Sequence, residues 1–144
     1  MTDPVIIDAK GLILGRLCTN VAKRLLNGEE VIIVNAEKAI VTGGREDVVA
    51  TFRHRRDVGT ARMGPLYPRM PHLMLKRAVR GMLPYKRPHG RAAYKNLKVH
   101  ISVPMELKGK KFETVEEASR LNTQRFITLG EVAKILGATF EVRE

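Results

Sequence analysis

The chain has 144 residues, 44% of them hydrophobic, one cysteine and a formal net charge of +11. That length and apolar share suit one ordinary core and exclude wholesale disorder, while a lone cysteine excludes a disulfide framework. The longest purely apolar runs, such as Val31-Ile32-Ile33-Val34, are far too short to cross a bilayer as a helix.

In chain order, Val5-Ile6-Ile7-Asp8 is a short β-branched run suited to a buried strand, broken by Gly11. The acidic residues beside it, where an export signal would be basic, lead to the expectation of a soluble cytoplasmic protein. From Ile13 to Asn27 the apolar residues Leu14, Leu17, Cys18, Val21, Ala22 and Leu25 keep a helical period, with Arg16, Thr19 and Lys23 opposite. Asn27-Gly28 ends that helix, with Gly28 expected in the left-handed conformation. Val31 to Val34 follows as a uniformly apolar strand, expected to be covered on both faces. Strand, helix and strand in about thirty residues make a βαβ unit, for which parallel pairing is the default.

Ala39-Ile40-Val41 is a possible third strand, closed by Thr42-Gly43-Gly44. Glu46 and Asp47 suit the positive end of a helix whose apolar side is Val48, Val49 and Phe52. From Arg53 to Pro71 there is no usable period, and Gly59, Gly64, Pro65, Pro68 and Pro71 suggest a long loop carrying Arg53, Arg55, Arg56, Arg62 and Arg69. His72 to Leu83 is helical again, with Lys76, Arg77 and Arg80 on one side and Met74, Leu75, Ala78, Val79 and Met82 on the other. Pro84 to Arg91 reads as a second basic loop, and Asn96 to Val103 as a strand of the same sheet. Beyond Pro104 the charge is balanced, with short helices expected over Glu113 to Arg120 and Leu129 to Leu136.

The charge is unevenly placed. Residues 1–44 and 99–144 each sum to zero, whereas residues 45–98 hold fourteen Lys/Arg against Glu46, Asp47 and Asp57. The whole surplus therefore sits in the middle third. A charge run is usually a solvated face, but this one is confined, rich in arginine, and spans two Gly/Pro segments flanking one basic helix face. Arginine forks phosphate oxygens, so the block points to a polyanion, most simply nucleic acid. Aromatic residues are few, with only Tyr67 and Tyr85 in its loops, so stacking on splayed bases is expected to be secondary to phosphate and shape contacts.

Other candidate sites are weaker. Gly11-Leu-Ile-Leu-Gly15 follows a strand and precedes a helix, but a dinucleotide fingerprint needs three glycines in G-x-G-x-x-G. Cys18 sits within an apolar stripe, where burial raises rather than lowers a thiol's pKa. His54, His72, His89 and His100 form no i, i+4 pair and have no cysteine neighbour, so no metal ligand set is expected. Asp8 and Glu37 lie near strand ends without a third group to complete a catalytic set. Residues 128–137 resemble the first helix and turn of a DNA-binding helix-turn-helix, yet too few residues follow for a recognition helix. A small nucleotide-dependent enzyme and a sequence-specific DNA regulator are thus the rival readings, and neither cofactor nor small-molecule substrate is expected.

Several motifs occur together and in order: Val-Ile-Ile-Asp-Ala-Lys-Gly-x-x-x-Gly-Arg-Leu (5–17), Val-Ile-Ile-Val-Asn-Ala-Glu-Lys (31–38), Val-Thr-Gly (41–43), Leu-Lys-Arg-Ala-Val-Arg-Gly-Met-Leu-Pro (75–84) and Gly-Arg-Ala-x-x-x-x-Leu-Lys-Val (90–99). Over about residues 5–103 the chain resembles the thirteenth universal large-subunit ribosomal protein family, and Arg87-Pro88-His89-Gly90 and the C-terminal tail resemble its archaeal form. The resemblance implies an α/β fold, taken here as three layers (α/β/α) with a short, mostly parallel sheet of about four strands, and no catalysis. Residues 1–103 would be an RNA-binding domain, with residues 104–144 a helical extension packed on it. The implied partners are large-subunit (23S-type) rRNA and neighbouring large-subunit ribosomal proteins, without membrane, and the implied role includes early subunit assembly. The RNA-facing positions implied are Arg53, His54 and Arg55; Lys76, Arg77 and Arg80; and Lys86, Arg87, Arg91 and Lys95. Arg56, Arg62 and Arg69 of the first basic loop complete the expected rRNA-binding set.

Overall fold

The computed structural model describes residues 3–59, 62 and 66–142. Strand β1 (Val5–Asp8), helix α1 (Leu14–Leu26) and strand β2 (Val31–Val34) form the expected unit, with β1 and β2 parallel and Ile7 opposite Ile33. Five of the six stripe residues of α1 are buried and Leu14 is half-buried. Cys18 is among them, and burial pushes its thiol up to about 12. Gly28 takes φ +89°, as the helix end requires.

A 3-10 turn (Ala36–Lys38) leads into β3 (Ile40–Thr42), then α2 (Arg45–Asp57), α3 (Pro71–Met82), α4 (Pro88–Lys95) and β4 (Leu97–Val99). β4 joins the other edge of β2 in parallel, so the main sheet runs β1-β2-β4. It holds three strands. β3 is instead antiparallel to β5 (Phe126–Thr128), and these two form a separate small sheet. The tail is correspondingly mixed: a 3-10 turn (Met105–Leu107), one turn of helix α5 (Glu116–Ser119), β5 and α6 (Leu129–Ile135). Residues 140–142, which alternate in the sequence, are in no strand.

Alternation along the strands separates the two faces of the main sheet. Ile7, Val31, Ile33, Leu97 and Val99 join the principal core with Leu17, Leu25, Met74, Leu75 and Val79. Ile6 and Val34 face the other way, against Leu107, with Ile32, Val103 and Phe112 around them. The α-helices gather on the first face. The second is covered by residues 103–112, in which Pro104 and Gly109 (φ +87°) oppose a regular helix.

Two segments expected as loop are helical. α2 continues to Asp57, so Arg53, His54, Arg55 and Arg56 lie on a helix. Their basic charge suits the negative end of the helix dipole, so the helix outlasts its apolar residues. Pro88 and the residues after it form α4, because proline at the first helical position is preorganised rather than disruptive. The remainder of the first loop is described only at 58–59, 62 and 66–70; Gly64 and Pro65 lie outside the described residues. The expected strand over Asn96 to Val103 is limited to β4, and Ser102 has φ +58°.

The tail is fastened to the body at several points. Ala118, Ile127, Leu129, Val132 and Leu136 belong to the principal core. Arg16 donates to the carbonyls of Glu117 and Arg120 at the end of α5 (3.4 and 3.0 Å), and Arg24 pairs with Glu113 at 2.9 Å. Gly130 packs so closely on the Glu37 carbonyl oxygen that an added Cβ would lie 2.9 Å from it. Glu37 itself is 5% exposed, and its Oε2 accepts the Ser102 backbone N–H at 3.0 Å.

Candidate nucleic-acid interface

The basic segment builds its surface around α3. Met74, Leu75 and Val79 are buried, which fixes the helix's rotation and leaves Lys76, Arg77 and Arg80 half-buried on the outer side. Their long aliphatic stems can lie along the protein while the cationic ends reach outward. Met82, expected with the apolar face, is 43% exposed and sits against the Thr19 hydroxyl at 3.6 Å.

Aromatic rings hold these cations in place. The Lys76 Nζ lies 5.0 Å from the centre of the Tyr94 ring, and the Arg80 guanidinium carbon 4.2 Å from that of Tyr85. Tyr85 and Tyr94 meet edge to face at 5.5 Å. On α2, Arg55 covers both Phe52 (5.2 Å) and Tyr67 (5.9 Å), whose rings are 6.1 Å apart. Such stacking orders a cation without neutralising it, so the charge remains available to an anion.

Arg77 joins the two halves of this surface. It lines a groove with His54, Arg55, Val58, Leu66 and Tyr67, and a second with Pro68, Leu73, Arg80, Tyr85 and Tyr94. His54, Arg55, Lys76, Arg77 and Arg80 are therefore neighbours on one face. Lys86, Arg87, Arg91 and Lys95 are exposed around α4, and Arg62 is exposed in the first loop. Arg91 spends donors on the Tyr85 and Lys86 carbonyls (3.1 and 3.0 Å), fastening the turn before α4.

Three expected residues stand apart. Arg53 lines a different groove with Arg45, Val49 and Ile135, because residues two apart on a helix point to different sides. Arg56 donates to the Leu136 carbonyl at 3.2 Å and to Asp57 at 2.9 Å, and this bond holds the Asp57 carboxyl below the usual carboxylate range. Arg69 lies beside Gly137, its Nη1 3.5 Å from where a Cβ would stand. Arg56 and Arg69 thus place cations at the C-terminal end of α6, where a helix dipole favours them.

Tyr94, Val58, Leu66 and Leu73 belong to this surface and were missing from the sequence reading, whereas Phe52 is buried on the apolar side of α2, as its spacing predicts. Tyr94 could have been found by treating 88–95 as a helix, which puts it four residues from buried Gly90 and therefore on the inner side.

The rival sites lose their geometry. In the Gly11–Gly15 turn the backbone N–H groups of Gly11, Leu12 and Ile13 already donate to Lys38, Ala9 and Ala118 carbonyls, so they cannot cradle a phosphate. Asp8 accepts from the Asn35 side chain and the Lys10 backbone N–H, a structural arrangement. In α6, Thr128 caps the Glu131 N–H at 3.3 Å, and Leu129, Gly130, Val132 and Ala133 are buried. No second helix follows it among the described residues. No group of three potential metal ligands occurs among the described residues, and no helix there is long and apolar enough to cross a membrane.

The model of the family "Ribosomal protein L13" matches residues 2–106. The chain is 49% identical to large ribosomal subunit protein uL13 of Methanosphaera stadtmanae over 139 residues, covering 94% of this chain and 98% of that one. It is 47% identical to the protein of the same name from Archaeoglobus fulgidus (94% and 88% covered), and 48% identical to that from Methanosarcina barkeri (94% and 99%). Similarity of this extent over nearly the full length, together with the fold, leads to one conclusion: the chain belongs to the ribosomal protein L13 family, in its archaeal form, a family of structural proteins rather than enzymes.

Proposed function

We propose that the chain is a structural constituent of the large ribosomal subunit that binds 23S-type rRNA through residues 45–98 and supports early subunit assembly. The observation that carries this reading is the cationic face shared by α2 and α3, in which His54, Arg55, Arg77 and Arg80 flank two grooves with Arg77 common to both, and Lys76 lies over the Tyr94 ring that lines the second. The family and the names of the relatives support the ribosomal assignment. Lys86, Arg87, Arg91 and Lys95 extend the contact around α4, Arg62 extends it along the first loop, and Arg53, Arg56 and Arg69 add to it from the α6 side, Arg56 with the guanidinium N–H groups that it does not spend on Leu136 and Asp57.

The body of residues 1–103 acts as a rigid platform, and residues 104–144 pack on it and meet neighbouring ribosomal proteins. The cations offset phosphate repulsion where RNA helices approach one another. Each phosphate engaged releases counterions, so affinity falls steeply with salt. In the cytoplasm the protein resides in the large subunit. Affinity capture from lysate, with and without ribonuclease, tests this. Recovery of large-subunit RNA and proteins that is lost on digestion is expected; a complement unchanged by ribonuclease would argue against RNA as the principal partner.

A further inference from the structure

The groove on the α2 side of Arg77 differs chemically from the rest of the basic surface. It is about 290 Å³ and lined by His54, Arg55, Val58, Leu66, Tyr67 and Arg77. Leu66 is 74% exposed and Val58 44% exposed, although each has a cationic neighbour in the groove. Tyr67 is half-buried, with its ring set against Phe52 and beside the Arg55 guanidinium. Phosphate clamping accounts for the cations but not for the apolar side chains between them. Exposed apolar groups gathered in one recess mark a contact surface.

We propose that this groove receives one unstacked nucleobase of the rRNA, with the base against Tyr67, Leu66 and Val58 and its flanking phosphates against His54, Arg55 and Arg77. A nucleotide joins a flat, weakly polar face to an anion, and the groove joins an apolar lining to a cationic rim with no carboxylate in it. A basic tail of a neighbouring ribosomal protein would meet charge repulsion here. A regular A-form duplex offers no free base face, so the segment bound is a loop, bulge or strand end. The inference rests on the rRNA reading above and makes base contact a specific part of it, where the sequence points only to a secondary role.

The test uses the full chain and deproteinised large-subunit rRNA, with affinity measured across a salt series. A Val58→Ser, Leu66→Ser double variant is expected to bind about tenfold more weakly, through loss of two apolar contacts with the base, with an unchanged salt slope. Leu66→Met should stay within about twofold of the parent, since it keeps the apolar contact. Ultraviolet cross-linking of the parent complex should give a nucleotide adduct on the peptide containing Leu66 and Tyr67. An unchanged affinity in the folded double variant, a loss accompanied by a shallower salt slope, or adducts confined to other peptides would overturn the proposal. Failure of the parent chain itself to bind rRNA would overturn the broader reading, whereas steep, salt-dependent binding insensitive to both serines would overturn the groove assignment alone.

Discussion

The Arg80 guanidinium carbon lies 4.2 Å from the centre of the Tyr85 ring, and Tyr85 is braced edge-on by Tyr94. The cation is therefore held on a surface formed by both α3 and the segment leading to α4. Replacing Tyr85 by Leu removes the ring while retaining bulk. In a double-mutant cycle with Arg80→Gln, the pair should show a coupling of about 0.5–1 kcal/mol in urea unfolding. Tyr85→Leu should also weaken rRNA binding without changing its salt slope, because the charge remains and only its placement is lost. Independent, additive effects on stability would show that the stacking contributes nothing.

Gly90 is buried in α4, and a Cβ there would overlap the Pro84 carbonyl oxygen. Backbone on both sides leaves little room to yield. Gly90→Ala is expected to destabilise the fold by about 1–3 kcal/mol, the range of an overpacked core, rather than stabilise the helix as Ala usually does. Thermal unfolding of the variant measures this. A raised melting temperature would mean that the turn before α4 is free to move.

His72 and His100 make stability depend on pH. Burial, first, lowers both below the ordinary histidine value of 6.5; each also lies near positive charge, Lys76 and the other histidine for His72, Lys98 for His100, while Glu106 acts the other way on His100. The Nδ1 of His72 is buried without a hydrogen-bond partner. The folded state thus favours the neutral rings, and the unfolded chain binds protons more readily. The resulting stability is complete above about pH 6.5 and is lost as pH falls through the lowered folded values. Urea midpoints should decline below pH 6.5, and a His72→Gln, His100→Gln variant should flatten that decline. An equally steep decline in the variant would place the proton uptake elsewhere.

α1 was legible in the sequence because its apolar residues keep period and Gly28 closes it with a positive φ. β1 and β2 were legible from their β-branched runs. The last turns of α2 were not, since Arg53 to Asp57 contain no apolar residue and the helix there rests on charge at its end and on the Arg56 bond to Leu136. α4 was obscured by Pro88 and Gly90, residues typical of loops that here start a helix and let it pack on Pro84. The partner of β3 could not be read locally, because Ile40 pairs with Thr128 across most of the chain. For the site, charge clustering pointed to the segment but not to the split between a face and a fastening. Arg77 and Arg56 are alike in sequence, yet one borders two open grooves and the other is bonded to the end of α6.

The most direct test of the cationic face is the salt dependence of rRNA binding by a Lys76→Gln, Arg77→Gln, Arg80→Gln variant. The expected result is a folded protein whose affinity is reduced and whose log–log salt slope is shallower by about two, as three phosphate contacts of roughly 0.7–0.9 each predict. A variant with the parent's affinity and slope would contradict the assignment of RNA binding to this face.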